Sequence, residues 1–95
     1  MTAYLIVDVD IHDAERYEAY KRAVPPLIAR HGGEYLVRGG GFEVLEGNWR
    51  PTRLVLLRFP DRQAIHAFLD DPDYRPVREM RHAIATSSLV AVDGL

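Results

Sequence analysis

The stretch RLVLLRF, Arg53–Phe59, decides the fold, because every position between its two arginines is apolar. Successive side chains of a strand point to opposite faces. Val55, Leu57 and Phe59 then line one face, and Leu54 and Leu56 line the other. A strand solvated on one side alternates apolar with polar residues; this one asks for cover on both. Toward the N-terminus, Tyr4–Asp10 repeats the pattern, with Leu5, Val7 and Val9 on one face and Tyr4 and Ile6 on the other.

Between these strands the period changes. Asp13 can cap a helix, since its carboxylate accepts an orphan backbone N–H at the positive helix end. The spacing predicts a helix from there to about Arg30, with Tyr17, Tyr20, Val24, Leu27 and Ile28 as its apolar stripe. Pro25 and Pro26 each remove a donor, so a kink or break is expected at that point. Gly32 and Gly33 read as a left-handed cap. Glu34–Arg38 and Phe42–Glu46 read as one strand disturbed at Gly39–Gly41, and Gly47 and Asn48 as a turn. After Phe59, Asp61 caps a second helix that buries Ala64, Ile65, Phe68 and Leu69. The run DDPDYRP breaks it, a further helix covers about Val77–Ala85, and Ser88–Val92 is a last strand.

The order β-α-β-β-α-β is a split β-α-β arrangement, an α+β domain with a four-stranded antiparallel sheet, read as one domain over residues 1–95. Two main helices cover one face of such a sheet. The other would expose Leu, Ile and Val to water, and large apolar patches are rare on monomers. Covering ~500 Å2 per subunit is worth roughly 12 kcal/mol gross, before association costs. The chain therefore predicts a homodimer about a two-fold axis, its two sheets packed as a barrel.

Composition narrows the partners. Charged residues make up 27% of the chain, hydrophobic ones 47%, and the formal net charge is −2. No basic stripe points to nucleic acid. No apolar run approaches the ~20 residues that span a bilayer. MTAYLIVDVDI lacks the basic start of a signal peptide, and the chain has no cysteine, which fits a cytoplasmic location.

Three segments, GGEYLVRGG (Gly32–Gly40), VLEGNWRPTRLVLLRFPD (Val44–Asp61) and DDPDYRPVREMRHAIATSSLVAVDG (Asp70–Gly94), together resemble domain-of-unknown-function family 1330. The likeness runs through nearly the whole chain. It implies a ferredoxin-like subunit of the dimeric α+β barrel superfamily, whose members include cofactor-independent monooxygenases, muconolactone isomerase and stress-responsive barrel proteins. The family has no established activity. Its members often carry Glu before the Phe-Pro that ends the third strand; here Arg58 stands there, changing either a local ion pair or the charge preference of a pocket.

Few residues invite chemistry. Arg38 ends an apolar run just before glycines, where a guanidinium can grip a carboxylate or enolate; it can equally pair with Glu34, Glu43 or Glu46. Trp49, Arg50 and Arg53 suit a partner's surface, and Trp49 with Arg53 also suits the wall of a ligand pocket. His31 can act as a general base near neutral pH, or sit as a cation at a helix C-terminus. Tyr35 can donate its phenol to a bound oxygen. Arg75, Arg78 and Arg81 read as a solvated helical face or as an anion-attracting rim. No metal-ligand spacing, phosphate loop or nucleophile elbow is present, so neither metal nor cofactor is expected. The expectation is a small organic ligand, aromatic or acidic, held between sheet and helices. The alternative is a cofactor-independent monooxygenase or isomerase acting on a small aromatic or lactone, with His31 or Tyr35 and Arg38 as its machinery.

Overall fold

A computed structural model describes all 95 residues. The elements run β1 (Ala3–Ile11), α1 (Ala14–Ala23), α2 (Pro25–Arg30), β2 (Glu34–Arg38), β3 (Leu54–Phe59), α3 (Arg62–Leu69), α4 (Arg75–Ile84) and β4 (Ala85–Asp93). All strand pairs are antiparallel and the sheet order is β2-β3-β1-β4. No helix is long and apolar enough to cross a membrane.

The caps act as their residue types require. Asp13 Oδ1 accepts from the Arg16 N–H at 3.1 Å and Asp61 Oδ1 from that of Ala64 at 2.8 Å. The two prolines split the first helix: Val24 ends α1 and precedes α2. Gly32 then turns with φ +76°, a conformation that disfavours any residue with a Cβ. The last helix and strand are longer than their patterns suggest, and β4 begins directly after Ile84.

The sheet has two unlike faces. Ala3, Leu5, Val9, Val55, Leu57 and Phe59 are buried beneath the helices, against Tyr17, Tyr20, Ile28, Ile65, Phe68 and Ile84. The opposite face carries Tyr4, Ile6, Leu54 and Leu56, only half-buried, with Leu36, Val37, Val90 and Val92 exposed. Arg58 stands on this outer face, in register with Glu34 and ion-paired to it. The sign change from the family's usual Glu thus alters a surface pair, not a pocket.

One expected strand segment does not form. Phe42–Glu46 has no strand structure, and Phe42, Val44 and Leu45 are exposed. The cause lies at Gly39. Its N–H still bonds Leu54 O at 2.8 Å, but its φ of +74° turns the chain off the sheet edge. Beyond it no neighbouring strand is left to take the backbone donors, so water takes them.

β2 contains a second irregularity. Tyr35 pairs with Leu57, but Val37 pairs with Leu56, so Leu36 is an extra residue. Such a bulge breaks the period-two alternation. Arg38 consequently faces Val55, on the same side as Tyr35 and beneath the helices. In an unbroken strand it would share the outer side with Glu34.

Candidate functional site

The inner face of the sheet does not close fully on the helices. A cavity of about 50 Å3 remains, walled by Leu5, Leu57, Val24, Ile28 and Phe68 among others. Into this apolar chamber converge Tyr17 and Tyr20 from α1, Tyr35 and Arg38 from β2, Arg53 from just before β3, Tyr74 from the turn before α4, and Arg81 from α4.

Arg38 stands at the exposed end, where its Nη2 donates to Lys21 O at 2.8 Å and ties β2 to α1. Its guanidinium carbon lies 4.7 Å from the centre of the Tyr35 ring, a cation–π distance. Arg53 lies 5.8 Å from the Tyr17 ring centre. Its guanidinium fills the space a side chain at Gly39 would need: an added Cβ would come within 2.3 Å of Nη1. Gly39 therefore serves twice, as the turn off the sheet and as the room for Arg53. Arg81, on the last turn of α4, is only 4% exposed. The Nε atoms of both Arg53 and Arg81 are enclosed without an acceptor. None of the chain's ion pairs involves Arg38, Arg53 or Arg81.

Tyr17, Tyr20 and Tyr35 remain phenols at neutral pH. Burial pushes Tyr17, Tyr20 and Tyr35 upward, because a phenolate would lose its hydration; Tyr20 is shifted furthest. Its hydroxyl also shares a buried hydrogen bond with the hydroxyl of Tyr74, O to O 3.0 Å. The chamber thus offers guanidinium cations and neutral hydroxyls.

Of the five residues singled out in the sequence, the fold brings three together: Tyr35, Arg38 and Arg53. His31 lies elsewhere. Its Nε2 is 2.8 Å from Asp71 Oδ2, and its ring packs against Phe68, whose ring stands on the cavity wall. Asp71 also accepts from Arg30 Nη1 at 3.0 Å and from the Asp73 N–H at 2.9 Å. The His31 hydrogen bond, then that of Asp73, holds the Asp71 carboxyl at a pKa of about 2. This cluster fastens α2 to the α3–α4 turn. Trp49 lies across the outer face, 58% exposed, and donates from Nε1 to Asp8 Oδ2 at 3.1 Å. With Ile6, Ser88 and Val90 it lines a shallow groove on that side. Trp49 and Arg38 are thus on opposite sides of the sheet.

The sequence reading gave Tyr17, Tyr20 and Tyr74 no site role, and it set Arg81 with Arg75 and Arg78 on a solvated face or an anion-attracting rim rather than inside the cavity. A signal was present. Tyr74, Val77, Arg81 and Ile84 follow the i, i+3, i+7, i+10 spacing of one helical face, so Arg81 occupies a place in the apolar stripe.

Taken together, the β-α-β-β-α-β order, the antiparallel sheet and the chamber under the helices define a ferredoxin-like α+β subunit. The chain belongs to the family described as Domain of unknown function (DUF1330), whose model matches residues 2–95. A protein of unknown function from Rhodopseudomonas palustris, RPA0582, superposes with a TM-score of 0.82 at 23% identity, over 99% of this chain and 82% of that one. A dimeric ferredoxin-like protein of unknown function from Jannaschia sp. CCS1 gives 0.72 at 14% identity, over 99% and 100%. SnoaB from Streptomyces nogalater, a cofactor-independent oxygenase, gives 0.70 at 16% identity, over 99% and 93%. No curated protein matches the chain. At these identities the likeness is one of fold, and function is carried by sites rather than folds.

Proposed function

We propose that this domain is a homodimeric binding protein for a small organic molecule, held in the cavity between sheet and helices. The observation that carries the reading is the convergence of Arg38, Arg53 and Tyr35 on an enclosed apolar chamber. A few polar groups set in apolar walls are the usual form of a small-molecule site. The volume limits the ligand. An apolar cavity of roughly 150 Å3 takes up benzene; this chamber has about a third of that volume. A compact head group fits inside, and any larger body extends past Arg38 at the exposed end.

The geometry supports binding better than catalysis. An oxygenase or isomerase acting on an acidic carbon or phenol needs a base at the substrate. His31 is engaged with Asp71 behind Phe68, and the phenols of Tyr17, Tyr20 and Tyr35 are pushed away from ionisation. The dimer belongs to the same proposal. The outer face, with Ile6, Leu56, Val90 and Val92, is supported as the interface by its apolar character, and two of the solved neighbours are described as dimeric. Trp49 sits on that side, as a contact residue for the partner subunit. A cytoplasmic location completes the reading, supported by a composition without cysteine, which suits a reducing compartment.

The test is mass spectrometry of small molecules released from the natively purified protein. The expected result is a compact organic molecule in stoichiometric amount, lost from an Arg38→Ala, Arg53→Ala double variant that still folds. Equal recovery from both proteins removes the cavity from consideration.

A further inference from the structure

We propose that the group bound at the inner end of this cavity is a monoanionic carboxylate, and that Arg81 receives it; the inference rests on the cavity-binding reading above. The argument begins with charge that has nowhere to go. A guanidinium does not give up its proton in a protein, so burial cannot be relieved by neutralisation. It must be relieved by an anion or by acceptors. The chain supplies carboxylates to three of its outer arginines: Arg30 has Asp71 and Asp73, Arg58 has Glu34, and Arg62 has Asp93. Arg81, nearly all buried, has none, and its Nε is enclosed without an acceptor on the cavity wall.

The neighbouring groups define the missing partner. A carboxylate presents two coplanar oxygens that match the guanidinium fork. The Tyr20–Tyr74 pair has two hydroxyl protons, and their mutual bond at 3.0 Å uses one. The other is free to donate to a bound oxygen. With its phenol held neutral by burial, Tyr20 adds a donor to the pair without adding negative charge. Position on the helix argues against a dianion. Arg81 lies in the last turn of α4, where the partly negative helix end disfavours every anion and a dianion more than a monoanion.

The experiment compares two probes of the same shape, isobutyrate and isobutyramide, by NMR titration of the native protein, following the Arg81 Nε–Hε resonance. Charge-assisted hydrogen bonds predict that the acid binds about ten- to a hundredfold more tightly than the amide. Arg81→Met, with its fold checked by its amide spectrum, should erase that preference, and Arg81→Lys should keep part of it. Arg75→Gln, on the exposed side of α4, should leave it unchanged. Should Arg81→Met fail to fold, the two-probe comparison on the wild-type protein decides alone. Equal affinity for acid and amide overturns the carboxylate assignment while leaving a small-molecule cavity in place. A preference for the acid that survives in folded Arg81→Met overturns the role of Arg81. No shift with either probe overturns both this inference and the binding reading on which it stands.

Discussion

Gly39→Ala tests whether the turn off the sheet and the placement of Arg53 are one device. The substitution has two separable costs. Gly39 has φ +74°, and holding an L-residue with a Cβ in the left-handed region costs about 1–2 kcal/mol. The new Cβ would also stand 2.3 Å from Arg53 Nη1 and 2.5 Å from its Cζ. These atoms end a flexible side chain, so the guanidinium swings away and the strand persists. The stability loss is therefore close to the backbone term alone. At roughly 4–8 °C per kcal/mol for a domain of this size, the Tm should fall by about 5–15 °C. Thermal unfolding, at matched protein concentration so that dimer mass action is held fixed, measures it. Gly40→Ala is the control, since a Cβ there meets nothing within 4 Å; its Tm should stay within a few degrees of wild type. The second cost is read separately, as weaker binding of a carboxylate probe once Arg53 has left the cavity. Gly39→Asn distinguishes the two, because Asn tolerates the left-handed region but still carries a Cβ: its Tm should recover in part while its binding does not. Equal Tm values for Gly39→Ala and Gly40→Ala would refute the reasoning.

Two further outcomes follow from other parts of the molecule. Leu56→Lys puts a charge in the middle of the outer sheet face and should yield a folded monomer in sedimentation at micromolar concentration; an unchanged dimer would locate the interface elsewhere. Asp71 has a folded-state pKa lowered to about 2 by its bonds to His31, Asp73 and Arg30. Its stabilising contribution is then complete above the unfolded carboxyl value near 4 and is lost as pH falls from there through about 2. Asp71→Asn should flatten the dependence of Tm on pH across that acid window, whereas a slope as steep as that of wild type would show that other carboxylates control acid stability.

What could be read from the sequence was what depends on local period. RLVLLRF and YLIVDVD announced two-faced strands, Asp13 and Asp61 announced caps, and Pro25–Pro26 announced the break between α1 and α2. What could not be read depends on which neighbour a segment finds. Phe42–Glu46 has strand-like residues, but a strand exists only beside a partner, and Gly39 turns the chain away from the sheet edge. Arg38 reached the site through a bulge, and nothing in EYLVR shows that Leu36 is the extra residue. Trp49 read as a partner contact or as the wall of a pocket, and only the path of the loop places it on the far side of the sheet from the cavity. Arg81 was hidden by its type: an arginine at an apolar stripe position invites the solvated reading, and only the packing of α4 beside α1 shows that it is enclosed.

The bulge in β2 matters beyond Arg38, because it sorts charge between the two faces. β2 is an edge strand, bonded only to β3, so an extra residue there disturbs one ladder and not two. Were Leu36 held in the ladder instead of bulged out, Arg38 would lie with Glu34 and Arg58 on the outer side. That would add an unpaired cation at the β2 edge of a face dominated by Ile6, Leu54, Leu56, Val90 and Val92, and would remove a cation from the cavity. With Leu36 bulged out, the outer charges at the β2 edge are a matched pair and the inner ones are arginines without carboxylates. An apolar surface with paired charge at its edge is complete once another surface of the same kind covers it. A chamber holding unmatched guanidinium groups still lacks an anion or neutral acceptors for them. The outer edge of β2 and the cavity are thus set apart by compensated and uncompensated charge, and one bulge in a five-residue strand makes the division.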